Sequence, residues 1–154
     1  MQGKKDNEVV VTLRDLFNQV KKGYDFIVID SSSTSAPELF NLSLAISDFA
    51  IMTYSPNKIN LINQWLTRTI DVQKSFNSNL RVGGILRTRF NKMESIHKYS
   101  ETEVLEYYPN LCWSTAFLND FPHAILDIAG KKKKETIIAF KAIYDELILR
   151  FLKR

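Results

Sequence analysis

A seven-residue run that ends in an aspartate, YDFIVID at residues 24–30, restricts the fold of this chain more than any other feature. The run is rich in apolar, β-branched residues, and five hydroxyl-bearing residues follow it at once, at 31–35. A short apolar run bounded in this way predicts a strand that is buried on both faces, as in a parallel sheet. Because α/β proteins bind ligands at the carboxyl ends of such strands, Asp30 is the first candidate for chemistry.

Asp30 has two interpretations. At the carboxyl edge of a sheet, an aspartate can hold Mg²⁺ directly or through water, because hard cations prefer oxygen ligands and Mg²⁺ keeps part of its hydration shell beside phosphates. Alternatively, Asp30 caps the helix that begins near Pro37 or closes a turn. The motif alone leaves both interpretations open.

Length and composition favour one domain in the cytoplasm. With 154 residues, 45% of them hydrophobic, the chain can form one substantial core, and we expect a single domain over 1–154. The lone cysteine, Cys112, excludes a disulfide within the chain and favours a reducing compartment. No stretch approaches the roughly 20 apolar residues of a membrane helix, and no apolar leader is seen at the start. The net charge of +4 favours polyanionic partners without specifying one.

Apolar periodicity predicts helices that alternate with short strands. After Thr12, which can cap a helix, Leu13, Leu16, Phe17 and Val20 recur at helical spacing. The helices are predicted at 12–22, 37–47, 57–76, 95–108 and 134–154, and the strands at 24–30, 49–54, 80–88 and 111–117. Strands separated by helices form right-handed βαβ units, so the expected fold class is α/β, with a mostly parallel sheet and helices on both faces.

Other chemistry-bearing residues form no recognisable constellation. His97 and His123 are isolated from each other and from the lone cysteine, which disfavours a metal site around them. No Gly-x-Ser-x-Gly motif occurs, and the serines after Asp30 fit better as turn residues that satisfy backbone groups. The lysine run at 131–134 is either a solvated turn or a contact for phosphate or nucleic acid.

Three motifs occur together in a characteristic order. LRD at 13–15 precedes YDFIVID at 24–30, GILRT follows at 84–88, and Leu118 lies twelve positions before the Gly-Lys pair at 130–131. This order and spacing resembles the carboxyl-terminal half of the ParA/MinD group of deviant-Walker ATPases, in which the run that matches residues 24–30 contains the Walker B strand. The resemblance covers residues 12–152 and implies a P-loop NTPase-like fold that is incomplete.

The resemblance implies roles for particular residues. Asp30 matches the Walker B aspartate, a catalytic residue on the Mg²⁺ side of bound ATP. Ser31 and Ser32 match the adjoining switch loop. The residues expected near the adenine base are Thr88, Leu118, Asn119 and Asp120.

The sequence also departs from the family pattern. Serines at 31–33 replace a small residue and two prolines, Asn91 and Met93 replace an aspartate and an arginine, and Leu118 replaces a proline. The family's phosphate-binding loop belongs about 80 to 100 residues before the Walker B strand, and no Gly-x-x-x-x-Gly-Lys occurs in this sequence. Without the backbone nest and lysine of that loop, ATP hydrolysis by this chain alone is expected to be negligible.

The resemblance implies partners as well. In the family, scattered basic residues contact DNA without sequence preference, and the corresponding residues here are Arg68, Arg87, Arg89 and Lys92. The expected protein partners are a second copy or a complementary chain with the phosphate loop, and a ParB-like protein of plasmid or chromosome segregation. The last helix is expected to pack on the sheet instead of lying on a membrane.

Two alternatives remain open. The chain is a non-catalytic α/β module for interaction or DNA binding, or an unrelated α/β domain such as a receiver. A receiver needs an acidic pair near its first strand and a strand-borne lysine, and neither is in register here.

Overall fold

The computed structural model describes residues 2–31, 36–56, 59–90, 95–118 and 133–152. Within these residues, the helices are α1 (Gln2–Val20), α2 (Pro37–Ile46), α3 (Asn60–Ser75), α4 (Ser95–Tyr107) and α5 (Lys133–Phe151), and a 3₁₀ turn, Lys21–Gly23, follows α1. The strands are β1 (Phe49–Tyr54), β2 (Arg81–Phe90) and β3 (Cys112–Leu118).

The three strands form one parallel sheet in the order β1-β2-β3. In the pairing of β2 with β3, Ile85 lies beside Cys112 and Phe90 beside Leu118. The predicted fold class, α/β with a mostly parallel sheet, is confirmed. From α2 onward, every helix and strand among the described residues begins and ends within three residues of its predicted bounds.

The predicted start of α1 is wrong. The helix begins at Gln2, ten residues before Thr12. Thr12 does not cap it, because its hydroxyl donates to the Glu8 carbonyl oxygen at 2.9 Å, one turn back inside the helix. Val10 is buried, so the apolar face of α1 extends further toward its amino end than the sequence analysis placed it.

The predicted buried strand at 24–30 is wrong as well. These residues form no strand, and Val28 is 86% exposed and Tyr24 67% exposed. Tyr24 has extended dihedral angles, φ −140° and ψ 141°. A strand needs a neighbouring strand for its backbone groups, and none of the described strands pairs with this segment. The segment has the local pattern of a strand without the pairing that would make it one.

Two compact units divide the chain. The first unit comprises Met1–Ala50 and Gln64–Val82, and the second comprises Ile51–Asn63 and Gly83–Arg154. The division passes through β1, α3 and β2, and each unit has buried residues of its own. The expectation of a single domain stays a prediction.

The buried face of α2 lies at the centre of the first unit. Phe40, Leu44, Ala45 and Ile46 are buried on it. The helix begins at Pro37, whose fixed φ and missing N–H suit the first helical position. The predicted helix is therefore present, and its buried face is formed by these four residues.

The carboxyl end of α2 is capped by side chains from elsewhere in the first unit. Arg14 Nη2 donates to the Ala45 carbonyl oxygen at 2.8 Å. Asn77 Nδ2 donates to the carbonyl oxygens of Leu44 at 3.2 Å and Ser47 at 2.7 Å. The last carbonyls of a helix have no intrahelical partners, and a cation there interacts favourably with the helix dipole. The Arg14 contact ties α1 to α2, the two helices beside the candidate site.

Trp113 on β3 lies at the centre of the second unit, where it is 1% exposed. Its Nε1 donates to the Gly83 carbonyl oxygen at 3.1 Å. From α5, the Phe151 ring lies 6.3 Å from the Trp113 ring, and the Arg150 guanidinium lies 5.4 Å from its centroid. The last helix thus packs on β3 through its carboxyl-terminal part, as predicted, whereas several large apolar side chains nearer its amino end are exposed.

A second set of contacts between α5 and β3 is polar. The Glu146 carboxylate accepts hydrogen bonds from the Ser114 backbone N–H at 3.0 Å and from the Ser114 hydroxyl at 2.8 Å. Arg150 Nη2 donates to the Cys112 carbonyl oxygen at 3.0 Å. Among the described residues, no helix has the length and apolar character needed to cross a membrane.

Candidate functional site

Asp30 lies at the end of an extended segment of the first unit that leads toward α2, and it is exposed. The next side chain, Ser31, has its hydroxyl 3.2 Å from the hydroxyl of Ser43 on α2. Ser43 Oγ also donates to the Phe40 carbonyl oxygen, one turn back in the helix, at 2.7 Å. The segment after the apolar run is therefore held against α2 by a hydroxyl pair, with the Asp30 carboxylate beside it.

A cavity of about 300 Å³ lies beside these polar groups in the first unit. Its apolar wall is formed by α1, by the segment before Asp30 and by one face of α2. The wall residues are Leu13, Ile29, Ala36, Leu39, Leu42 and Ile46, and the polar ones are Asp30, Ser31 and Ser43. Leu39, Leu42 and Ile46 form one side of this cavity, and Leu39 is 64% exposed. The arrangement combines a carboxylate and two hydroxyls with an apolar wall.

The side chains near Asp30 determine which kind of metal ion could bind there. Over the described parts of the chain, no group of three or more His, Cys, Asp and Glu side chains could hold a metal ion. A carboxylate with neighbouring hydroxyls fits one side of a Mg²⁺ ion that keeps several waters and takes its other ligands from phosphates. The residues fit the metal side of a nucleotide site and do not form a metal cage.

Thr88 and Leu118 lie in the second unit, on neighbouring parallel strands. Leu118 pairs with Phe90, two residues beyond Thr88, so both lie at the carboxyl edge of the sheet. The Thr88 hydroxyl donates to the Tyr54 carbonyl oxygen at the end of β1, at 3.1 Å. The structure thus brings two of the predicted base-side residues to one edge of the sheet. The others, Asn119 and Asp120, lie outside the described residues, as does Ser32 of the predicted switch loop.

Arg87, predicted to contact DNA, is buried in the second unit at 6% exposure. Its guanidinium pairs with the Glu101 carboxylate and donates to the carbonyl oxygens of Trp113 at 3.0 Å and Ser114 at 3.1 Å. A guanidinium that is buried and bonded in this way cannot reach a DNA phosphate, so the DNA-binding prediction for Arg87 is wrong. The sequence contained the signal, because Arg87 is two residues from buried Ile85 and so shares its face of the strand.

Arg68 is half-buried in the first unit and is also bonded within the chain. Its Nε donates to Asn41 Oδ1 at 2.7 Å, its Nη2 donates to the Pro37 carbonyl oxygen at 3.1 Å, and its guanidinium lies 5.5 Å from the Phe40 ring centroid. These contacts fix α3 against the amino end of α2. The side chain of Arg89 and all of Lys92 lie outside the described residues, so those two DNA contacts stay predictions.

Two buried titratable groups of the second unit are structural. Burial raises the pKa of the Cys112 thiol, and the nearby cations Arg87 and Arg150 lower it by less. Burial likewise raises the pKa of the Tyr54 hydroxyl, against a smaller opposite effect of its hydrogen bond with Ser100. Both groups stay protonated at neutral pH, so Cys112 is a poor nucleophile and acts as a core residue.

Ser43 is the site residue that sequence reasoning missed. It lies on the same helix face as Leu39, Leu42 and Ile46, and only its hydroxyl distinguishes it from its apolar neighbours. The signal was its position one turn from Leu39, because residues four apart on a helix are neighbours on its surface. A serine on an otherwise apolar helix face indicates a candidate site residue, and the structure shows that its hydroxyl contacts Ser31.

Comparison with known proteins identifies a relative that is longer than this chain. No protein-family model matches the chain. A stretch of 102 residues is 29% identical to an uncharacterized protein of Methanocaldococcus jannaschii, and the match covers 64% of this chain and 39% of that protein. The chain thus spans well under half the length of the relative that it matches.

Proposed function

We propose that this chain is the carboxyl-terminal part of a ParA/MinD-like partition or positioning ATPase, acting in plasmid or chromosome segregation in the cytoplasm. The observation that supports this most directly is Asp30 at the end of an extended apolar segment, beside the Ser31 and Ser43 hydroxyls and an apolar cavity. The parallel sheet with Thr88 and Leu118 at its carboxyl edge is in keeping with the proposal. So is the greater length of the relative, because the proposal requires a phosphate-binding loop from elsewhere.

In this proposal, Asp30 holds Mg²⁺ through water, and Ser31 and Ser32 form the switch loop. Thr88, Leu118, Asn119 and Asp120 lie near the adenine base. Bound Mg²⁺ neutralises charge on the β- and γ-phosphates of ATP. The chain's own contribution is binding and orientation. Since phosphoryl transfer depends on positioning and charge stabilisation, the chain hydrolyses ATP only together with a polypeptide that supplies the loop.

Weak binding of Mg-ATP that depends on Asp30 is the expected result for the isolated chain. A ligand at about five times its dissociation constant stabilises the folded state by roughly 1 kcal/mol, which raises the melting temperature of a chain of this size by about 2–4 °C. We expect that rise with Mg-ATP, and we expect Asp30→Asn to abolish it. Differential scanning fluorimetry at increasing Mg-ATP concentrations measures both.

Asp25→Asn is the matched control, because it removes the same charge from the same exposed segment, five residues away. It should leave the rise unchanged. No rise with Mg-ATP, or an equal loss of the rise in both variants, would contradict the nucleotide part of the proposal. In that case the non-catalytic interaction module is the better account, since the sequence lacks a phosphate-binding loop of its own.

DNA binding without sequence preference is the second part of the proposal. With Arg68 and Arg87 bonded inside the chain, the cations that remain from the predicted set are Arg89 and Lys92. Each phosphate contact adds about 1 to the slope of log K against log salt concentration. The double variant Arg89→Ala/Lys92→Ala should therefore weaken binding and lower that slope by about 2.

Mobility shift of a duplex at several salt concentrations measures this slope. Lys141→Ala is the control, because Lys141 is a highly exposed cation on α5, in an ion pair with Asp145. It should leave the slope unchanged. Absence of any shift at low salt would remove DNA binding from the proposal. Dimerisation, or association with a complementary chain and a ParB-like partner, completes the proposed function.

A further inference from the structure

Exposed and half-buried side chains alternate along residues 26–30, which follow the extended backbone of Tyr24. Ile27 and Ile29 are half-buried, and Ile29 lines the cavity between α1 and α2. The side chains at the alternate positions are exposed to solvent: Tyr24 is 67% exposed, Phe26 37% and Val28 86%. Successive side chains of an extended chain point to opposite sides, so one side of the segment is packed and the other leaves three large apolar side chains in solvent.

The backbone of the segment is equally open. Tyr24 N donates to the Lys21 carbonyl oxygen at 3.4 Å, and no other backbone hydrogen bond links residues 24–30 to the described part of the chain. Extended backbone with open N–H and C=O groups is the surface to which an added strand binds.

We propose that residues 24–30 are a docking strand, which pairs with an extended apolar strand of a partner polypeptide bearing cations opposite Asp25 and Asp30. Backbone hydrogen bonds to the partner strand supply the affinity, and the bare side chains Tyr24, Phe26 and Val28 supply cross-strand contacts. The inference goes beyond the proposed nucleotide chemistry, and it is tested without nucleotide because a partner cation and Mg²⁺ would compete for the Asp30 carboxylate.

Charge is the argument for a partner that differs from this chain. In the antiparallel pairing of two copies that aligns Ile27 with Val28, Asp25 of each copy lies opposite Asp30 of the other. In the parallel pairing in register, each aspartate lies beside its own counterpart. Like charges directly opposite destabilise paired strands, whereas Lys or Arg at those positions attracts them. A strand with a cation at each end and β-branched residues between is therefore the favoured occupant.

The test is hydrogen exchange of the full chain, followed by NMR, with a synthetic peptide as the probe. The capped peptide KVTIVK places its lysines opposite Asp25 and Asp30, and EVTIVE is the same peptide with acidic ends. We expect millimolar KVTIVK to slow exchange of alternate amides within residues 25–30 by at least about tenfold, since an added strand protects only the amides on its own edge. EVTIVE at the same concentration should protect them less.

Two substitutions at the most exposed position complete the test. Val28→Pro removes a backbone N–H and fixes φ, so it should abolish the protection, whereas Val28→Thr keeps the amide and the β-branched shape and should retain it. Protection of the amides in α2 checks that the first unit, which contains residue 28, is folded in both variants. Equal effects of the two peptides, no effect of either, or protection that survives Val28→Pro would overturn the proposal. Protection that rises with protein concentration without peptide would replace the partner chain by a second copy. No nucleotide is present, so failure here leaves the Asp30 experiment intact.

Discussion

Replacing Gly84 with alanine is expected to destabilise the second unit by about 3–5 kcal/mol, from backbone strain and overpacking together. Gly84 has a φ of +125°, a region that residues with a side chain rarely adopt. An added Cβ would also lie 2.5 Å from the Leu111 carbonyl oxygen and 2.6 Å from Trp113 Nε1. Neither atom can retreat easily, because one is backbone and the other donates to the Gly83 carbonyl oxygen.

Urea unfolding followed by tryptophan fluorescence measures the effect, since Trp113 is buried in the second unit. Gly23→Ala is the matched control, because nothing lies within 4 Å of the position of its added Cβ. It should change the free energy of unfolding by no more than about 1 kcal/mol. Equal effects of the two substitutions would show that Gly84 is not needed for the close approach of β2 and β3.

Most elements of this fold were predictable because their signals are local. α2 begins at Pro37, and α3 and α4 follow apolar spacings that lie wholly within their own sequences. The three strands coincide with short apolar runs between helices. Each of these signals depends on residues within a few positions of the element that it specifies.

Residues 24–30 show the limit of predicting secondary structure from local sequence. Their composition is that of a buried strand. The strands that would pair with such a run and the helices that would bury it come from other parts of a polypeptide, so neither can be predicted from the run itself. In this chain α1 and α2 cover Ile29, and none of the described strands pairs with the segment. The wrong prediction and the proposed docking strand are therefore two consequences of the same fact.

The candidate site was predictable in part for the same reason. Asp30 and Ser31 stand out by their position after an apolar run, whereas Ser43 joins them through packing of α2. A basic residue looks the same in sequence whether it is exposed to solvent or pairs with a carboxylate inside the fold. Arg87 could be separated from the exposed cations only by its strand periodicity, and its partner Glu101 is on another element.

Arg87→Met is expected to destabilise the second unit by about 2–4 kcal/mol. Methionine keeps an unbranched apolar stem but removes the donors to the carbonyl oxygens of Trp113 and Ser114, which lie 3.0 and 3.1 Å from Nη2. It also leaves Glu101 without its cation. Because the Glu101 side chain is 35% exposed, water can solvate the carboxylate, which limits the loss to less than that of a fully buried pair.

Arg87→Lys should be intermediate, because an ammonium keeps the charge without the planar fork that reaches Glu101 and both carbonyls at once. Lys141→Met is the control on an exposed pair, 73% exposed at the lysine, and should cost no more than about 0.5 kcal/mol. Urea unfolding of the three variants ranks them. If Arg87→Met matches Lys141→Met, the hydrogen bonds and the ion pair of the Arg87 guanidinium do not stabilise the second unit, and the prediction is wrong. If the three substitutions destabilise the chain in the predicted order, any loss of DNA binding in Arg87→Met results from reduced stability of β2, β3 and α4. It does not result from a lost phosphate contact.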